Sequence, residues 1–298
     1  MVEWNTAGLP PAAQRRMDSI SSSHIRSSLL SIPGATGIQS VGFYPASEVM
    51  GAIVMSTNGA VMPSCGMAYQ SFGMGGNPMY ASSRTINNGV GMAGSSYGYT
   101  PYIDVINSGW SSALSRMMLE ARQVKADGVI DVRLSQNQLG SGAVEFVAMG
   151  TAVRSMGPTR LAKPFSTHLG GGDFSKLLRS GYVPVAIIVE VSVAIRHDDY
   201  TTYAQSNVFA PNSEVSGFTD LVTSGRANAR ERLRRAVSTC GAQGAIIDSL
   251  AMHVFEFEPY ENHRDHIAEV RAVGTAIASF ATAERTPSPL TILSLKDK

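Results

Sequence analysis

Along the chain the apolar positions alternate between two spacings, and they do so twice in the same order. From Gly181 the run VPVAIIVEVSVAI is rich in β-branched residues, which predicts a strand, and residues 48–56 carry a less regular version of it. After Ser108-Gly109, apolar residues fall at Ala113, Met117, Ala121 and Val124; after Ser224-Gly225 they fall at Ala229, Leu233, Val237 and Cys240. These are spacings of one buried helix face. The apolar runs VIDVRL and AIIDSL come next, followed by EFVAMGTAV (145–153) and EVRAVGTAI (269–277). Each set reads as strand, helix, strand, strand.

Register turns this echo into a duplication, which must be sought before any fold is assigned. One offset of 116 places Gly109 on Gly225, Ala126-Asp127-Gly128 on Ala242-Gln243-Gly244 and Leu134 on Leu250 without a gap. An offset of 124 then places Gly150-Thr151-Ala152 on Gly274-Thr275-Ala276, so the second copy holds eight more residues in its hairpin. Upstream the offset is 139, from Gly42-Phe43 to Gly181-Tyr182, which gives the first copy 23 more residues between strand and helix. The helices are expected to stop at ADG and AQG, with Gly128 and Gly244 in the left-handed conformation. A crossover helix puts the first two strands in one sheet, and the closing hairpin is antiparallel.

The fold class is therefore α+β, with two tandem β-α-β-β units. Residues 1–39 form an N-terminal extension, 40–157 the first unit with a Gly/Met-rich insertion at 57–106, 158–180 a linker with a short helix at 174–179, 181–282 the second unit, and 283–298 a C-terminal tail. Hydrophobic residues make up 44% of the 298 and charged residues only 16%. That charge content is well under the roughly 25% of an average soluble protein, which suits a surface covered by contacts or by small residues. A formal charge of +1 gives no case for nucleic acid. Cys65 and Cys240 match no disulfide or zinc spacing, so a reducing cytoplasm is the expected setting. No apolar run reaches the roughly 20 residues that span a bilayer.

The A-x-G helix end, the apolar strand after it and the final strand carrying G-T-A resemble the YbjQ-like family, which is labelled heavy-metal-binding. Residues 164–199 resemble the linker and opening strand of its two-domain members. The resemblance implies a small sheet with one helix, similar to dodecin subunits, and assembly into rings, commonly pentameric. Physical reasoning agrees, because one helix covers one face of a small sheet and the edge strands invite pairing. Pairing of the two units within one chain is the alternative way to satisfy both sheets.

Candidate chemistry is sparse. There is no GxSxG, Walker A loop or HExxH, and no set of nucleophile, base and orienting group, so no catalytic residue is assigned. The hairpin HVFEFEPYENHRDH offers His253, Glu258, His263 and His266 as ligands for a divalent transition metal; a solvated hairpin tip explains the same residues. His197-Asp198-Asp199 reads as a polar turn after the strand, and Cys240 as a core thiol on the second helix. Cys65 with Met62 and Met67 would suit Cu(I). In the tail, Leu290, Ile292 and Leu295 are similar to the docking peptides that direct cargo into encapsulin shells, with Leu293 where Gly is usual. The expected function is a non-enzymatic homo-oligomeric scaffold or binding assembly. Metal binding, small-ligand binding between subunits and shell docking through the tail are the alternatives.

Overall fold

The computed structural model describes residues 8–23, 27–57, 86–87, 100–140, 142–158, 160–161, 163–197, 200–260 and 263–280. Cys65 and most of the Gly/Met-rich insertion lie outside these residues, as does the whole tail with Leu290, Ile292 and Leu295. Two helices open the chain, α1 (Pro11–Ser22) and α2 (Ile32–Gln39). The first unit is β1 (Phe43–Ser56), α3 (Thr100–Gln123), β3 (Gly128–Gln138) and β4 (Ala143–Ser155), with β2 (Ile86–Asn87) in the insertion. Between the units come β5 (Phe165–Ser166) and α4 (Gly171–Arg179). The second unit is β6 (Tyr182–His197), α6 (Ser216–Thr239), β7 (Gly244–Tyr260) and β8 (His263–Ser279), with α5 (Tyr200–Ser206) after β6.

The strands form two sheets, in the orders β1-β4-β3-β5 and β2-β6-β8-β7. In both, the last strand of the unit is central and antiparallel to its neighbours. Thr151 stands between Glu48 and Ile130, and Thr275 between Ile187 and Ile246, so the two registers superpose.

The shared motif residues have steric reasons. A Cβ on Gly109 would overlap the Phe146 ring, and one on Gly225 would sit 3.0 Å from Val270, so the Ser-Gly pair lets each helix lie close on its own sheet. Gly150 and Gly274 leave room in the same way for Val129 and for the Ile246 carbonyl of the adjacent strand. The left-handed residues at the helix ends are Lys125 (φ 54°) and Gly241 (φ 71°), which corrects the assignment of that role to Gly128 and Gly244. Those glycines instead begin β3 and β7, three residues after the left-handed position.

Helix α3 lies between the sheets. It packs on Val49, Phe146 and Ala148 of its own sheet and on Ile187, Val189 and Val191 of β6. Trp110 makes an edge contact with Phe146 at 5.1 Å and carries the Arg271 guanidinium 5.4 Å from its ring centre. Helix α6 covers the opposite face of the second sheet through Ala229, Leu233 and Val237 against Ile188, Val270, Ala272 and Ala276. The second sheet thus has a long helix on both faces; the first has α3 on one face, and at one end of the other face Ile38 of α2 and Phe174 of α4 pack on Ile130 and Val153.

Two further expectations need correction. Cys240 is exposed, because α6 ends at Thr239 and the helical phase that buries Val237 does not continue to it. His197 is the last residue of β6, paired with Asp265, since the longer hairpin opposite it extends the ladder. Among the described residues the longer hairpin of the second copy continues as strand, β7 to Tyr260 and β8 from His263.

Candidate functional site

The two units meet along one seam, built from the segment that links them. β5 adds in parallel to the edge of β3, Phe165 beside Gly128 and Ser166 beside Val129. The pairing continues as Thr167 N–H donates to Val129 O at 2.9 Å, Val132 N–H to Thr167 O at 3.1 Å and Asp131 N–H to Leu169 O at 3.0 Å. Phe165 and Phe174 stack at 5.4 Å and close over Ile38, Ile130 and Val153. On its other side the segment crosses the second sheet. Ser166 Oγ accepts from Ile187 N–H at 3.0 Å, the Thr167 and Thr275 hydroxyls lie 3.0 Å apart, and His168 N–H donates to Thr275 Oγ1 at 3.3 Å. Burial holds the His168 imidazole below its ordinary pKa, with Asp248 opposing that shift. Helices α2 and α4 complete the seam backbone to backbone, since a Cβ on Gly171 would collide with the Gly34 carbonyl.

The β3 side of this seam has a counterpart at the far end of the second unit, and there it is partly exposed. Gly128 has no room for a Cβ because the Phe165 ring fills the space, whereas a Cβ on Gly244 would meet only Ile277, at 3.6 Å. Val129 and Ile130 are fully buried, while their equivalents Ala245 and Ile246 are half-buried and Ile247 is 52% exposed. Tyr182 and Phe280 flank this patch, both exposed. β7 is the outermost strand of its sheet, and among the described residues no strand lies beside its free edge. A bare edge next to exposed apolar side chains is the arrangement that accepts a further strand. Sequence reasoning missed this site because the Phe165–Ser166 strand is too short to register as a period. The matching of Thr151 to Thr275 was the available clue.

The far edge of the first sheet is capped by side chains at Met50 and Ala52. Glu120, 1% exposed on α3, accepts Met50 N–H of β1 at 2.7 Å and is paired with Arg16 of α1, which also reaches the Met50 carbonyl. Burial raises the Glu120 pKa, while the Met50 N–H and Arg16 oppose that shift.

The proposed metal ligands divide between faces of the second sheet. His253 stands opposite Glu269, whose carboxylate accepts the Tyr102 hydroxyl of α3 at 2.6 Å. His266 stands opposite Glu256, 3.6 Å from it, and packs against Phe218 of α6. Since α3 and α6 lie on opposite faces, these two imidazoles do not converge. Glu258 accepts a hydrogen bond from Arg264 at 2.8 Å, and His263 begins β8 opposite Tyr260. Among the described residues no group of three or more His, Cys, Asp or Glu is placed to hold a metal. His253, Glu269 and Arg271 line a cleft of about 480 Å³ between the units, together with Tyr102, Gln136 and Phe255.

A family model described as "putative heavy-metal-binding", the YbjQ model, matches residues 48–156. The chain is 32% identical over 186 residues to a protein of Mycobacterium tuberculosis named encapsulin nanocompartment protein, an alignment covering 59% of this chain and 68% of that one. It is also 32% identical over 108 residues to a UPF0145 protein of Sulfurisphaera tokodaii, covering 36% of this chain and 84% of the relative. The chain belongs to the YbjQ-like family. A UPF0145 protein of Archaeoglobus fulgidus shares a shorter stretch, 42% identical over 53 residues, covering 18% of this YbjQ-like chain and 49% of its relative. No solved structure matches the chain. Among the described residues no helix is long and apolar enough to cross a membrane.

Proposed function

We propose that this YbjQ-like chain is a non-catalytic building block that associates with further copies of itself in the cytoplasm, as a ring or larger homo-oligomer. The observation that carries this reading is the uncovered seam of the second unit. Within the chain, the equivalent surface of the first unit is sealed by strand addition and an aromatic cluster, and that internal contact supports the reading. A head-to-tail contact of this kind gives a ring when its rotation closes and a filament when it does not. Native mass spectrometry of the full chain at micromolar concentration tests it: multiples of the 31.6 kDa chain mass are expected, and a monomer overturns it.

The M. tuberculosis relative is named for an encapsulin nanocompartment, and this favours a home for the assembly inside a protein shell, with residues 283–298 as the docking segment. Deleting those residues should abolish co-purification with a shell while leaving the native mass per subunit arrangement unchanged.

A second reading, metal binding, draws on the family description and on the approach of His266 to Glu256 at 3.6 Å. Arg264 competes for the carboxylates of Glu256 and Glu258. Elemental analysis should show stoichiometric metal that falls in His263→Ala and His266→Ala chains if this reading is right. A metal-free assembly with the same mass eliminates it.

A further inference from the structure

Resting on the self-association reading, the geometry points to one docking mode: the outer face of the first sheet, with residues 27–31 lying across it, receives the β7 edge and the arginine face of α6 from a second copy. The argument starts from the two threonines. Thr275 holds the linker segment by accepting His168 N–H, and Thr151 holds residues 27–31 by accepting Leu29 N–H at 2.9 Å. Leu29 and His168 are equivalent under the 139-residue offset, as Thr151 and Thr275 are under the offset of 124. Residues 27–31 therefore occupy on the first sheet the place that the linker occupies on the second. The linker also carries a strand edge, that of β3; residues 27–31 carry none among the described residues.

Transferring the seam's hydrogen bonds by the same offsets gives explicit partners. Ser28 N–H would donate to Ala245 O of the second copy, Asp248 N–H of that copy to Ser28 O, and Ile247 N–H to Leu30 O. All of these residues belong to β7 or to 27–31; Asp131 is left-handed (φ 52°) and Ile247 is not, so the Ile247 bond requires that turn to form on docking. Strand addition supplies directional backbone bonds, and the exposed Ile247, Tyr182 and Phe280 would be covered in the same step.

Side chains on the helices choose the direction. Trp110, Leu114 and Met118 form the line on α3 that meets the second sheet, where Arg271 lies over Trp110 and Glu269 takes the Tyr102 hydroxyl. The equivalent line on α6 is Arg226, Arg230 and Arg234, all exposed. The equivalent face of the first sheet carries Glu48, 4.0 Å from Arg16, and Glu145, which accepts Asn137 Nδ2 at 3.0 Å, beside half-buried Val147 and Met149, which belong to no buried cluster. Arginine stems can lie on Val147 and Met149 while their guanidinium groups reach the two carboxylates. The apolar contact inside the chain is thus replaced by a charged one between chains. That replacement discriminates: α6 lacks the aromatic residue that α3 uses, so a unit is matched to its proper neighbour and not to a copy of itself.

The test uses two full-length variants and the native mass. Arg226→Glu/Arg230→Glu alters the α6 face, and Glu48→Arg/Glu145→Arg alters the receiving face; thermal unfolding by circular dichroism confirms that each is folded. Each alone is expected to have the mass of one chain. Mixed in equal amounts, the unaltered faces pair with each other and the two altered faces are again opposite in charge, so mixing is expected to restore assembly beyond one chain. If wild type is oligomeric and both variants keep its mass, the docking mode is overturned while self-association stands. If wild type is a single chain, the underlying reading fails instead. Homodimers of either variant in isolation would also overturn the head-to-tail geometry.

Discussion

Leu29 donates its backbone N–H to the Thr151 hydroxyl at 2.9 Å, and this bond ties the N-terminal segment to the Gly-Thr-Ala strand of the first unit. Thr275, the same residue of the second unit, holds the linker through the His168 N–H and the Thr167 hydroxyl. Both threonines are fully buried, so neither can trade its partners for water. Replacing Thr275 with Val keeps the shape and removes the acceptor. The expected cost is about 1–3 kcal/mol, the range for leaving a buried polar group unpaired. Thr151→Val removes a single bond and should sit at the low end of that range. Urea denaturation of the two variants measures the difference.

Glycine at the start of β3 and β7 answers to different neighbours. A Cβ on Gly128 would overlap the Phe165 ring, which is 6% exposed and locked between Phe174 and Phe43. Gly128→Ala should therefore separate β5 from β3 and lower stability by about 1–3 kcal/mol. Gly244→Ala meets only Ile277 at ordinary contact distance, and its effect on unfolding of the isolated chain should stay within about 0.5 kcal/mol. Equal losses at the two sites would mean that the chain's two ends are not as unlike as described.

The duplication was legible because its signals are local and periodic: the helix stripe from Ala113 to Ala121, the Ser-Gly pair, and the strand run ending in Gly-Thr-Ala. Each of these residues makes its main contact within its own unit. The seam was not legible, since it depends on a two-residue strand and on aromatic residues brought together from Phe43, Phe165 and Phe174. Cys240 misled for a related reason, because a period predicts burial only while the helix lasts, and α6 stops one residue earlier. His253 and His266 looked like neighbours in the sequence, yet pairing alternates faces along a strand and separates them by the thickness of the sheet.

The seam should also weaken in mild acid. Burial lowers the His168 pKa from 6.5, so the folded chain holds this imidazole neutral more firmly than the unfolded chain does. Above 6.5 the stabilisation is fully present. It is lost as pH falls from that value through the lowered folded pKa, because protonation then favours the unfolded state. His168→Asn, which cannot titrate, should flatten this part of the stability profile between neutral pH and about pH 5. An unchanged slope would assign the acid sensitivity to other groups.

Arg16 and Glu120 make an unequal pair, and the inequality gives the last expectation. Glu120 is buried, whereas Arg16 is 28% exposed, so removing the carboxylate and removing the guanidinium are different losses. Glu120→Ala leaves Arg16 able to reach water and strands chiefly the Met50 N–H, a cost of about 1–3 kcal/mol. Arg16→Ala leaves a buried carboxylate facing Glu48 without its cation, a larger loss, on the order of 3 kcal/mol at neutral pH. The pH dependence separates the two. Burial already raises the Glu120 pKa above 4.5, and removing Arg16 raises it further. A raised carboxyl contributes stability that is complete below 4.5 and disappears as pH rises through the folded pKa. The deficit of Arg16→Ala against wild type should thus shrink steadily as pH is lowered from 7 toward about 5, while that of Glu120→Ala should not. Chemical denaturation of both variants across that range decides the matter, and a deficit for Arg16→Ala that does not change with pH would show that α1 is held to β1 by packing and not by this pair.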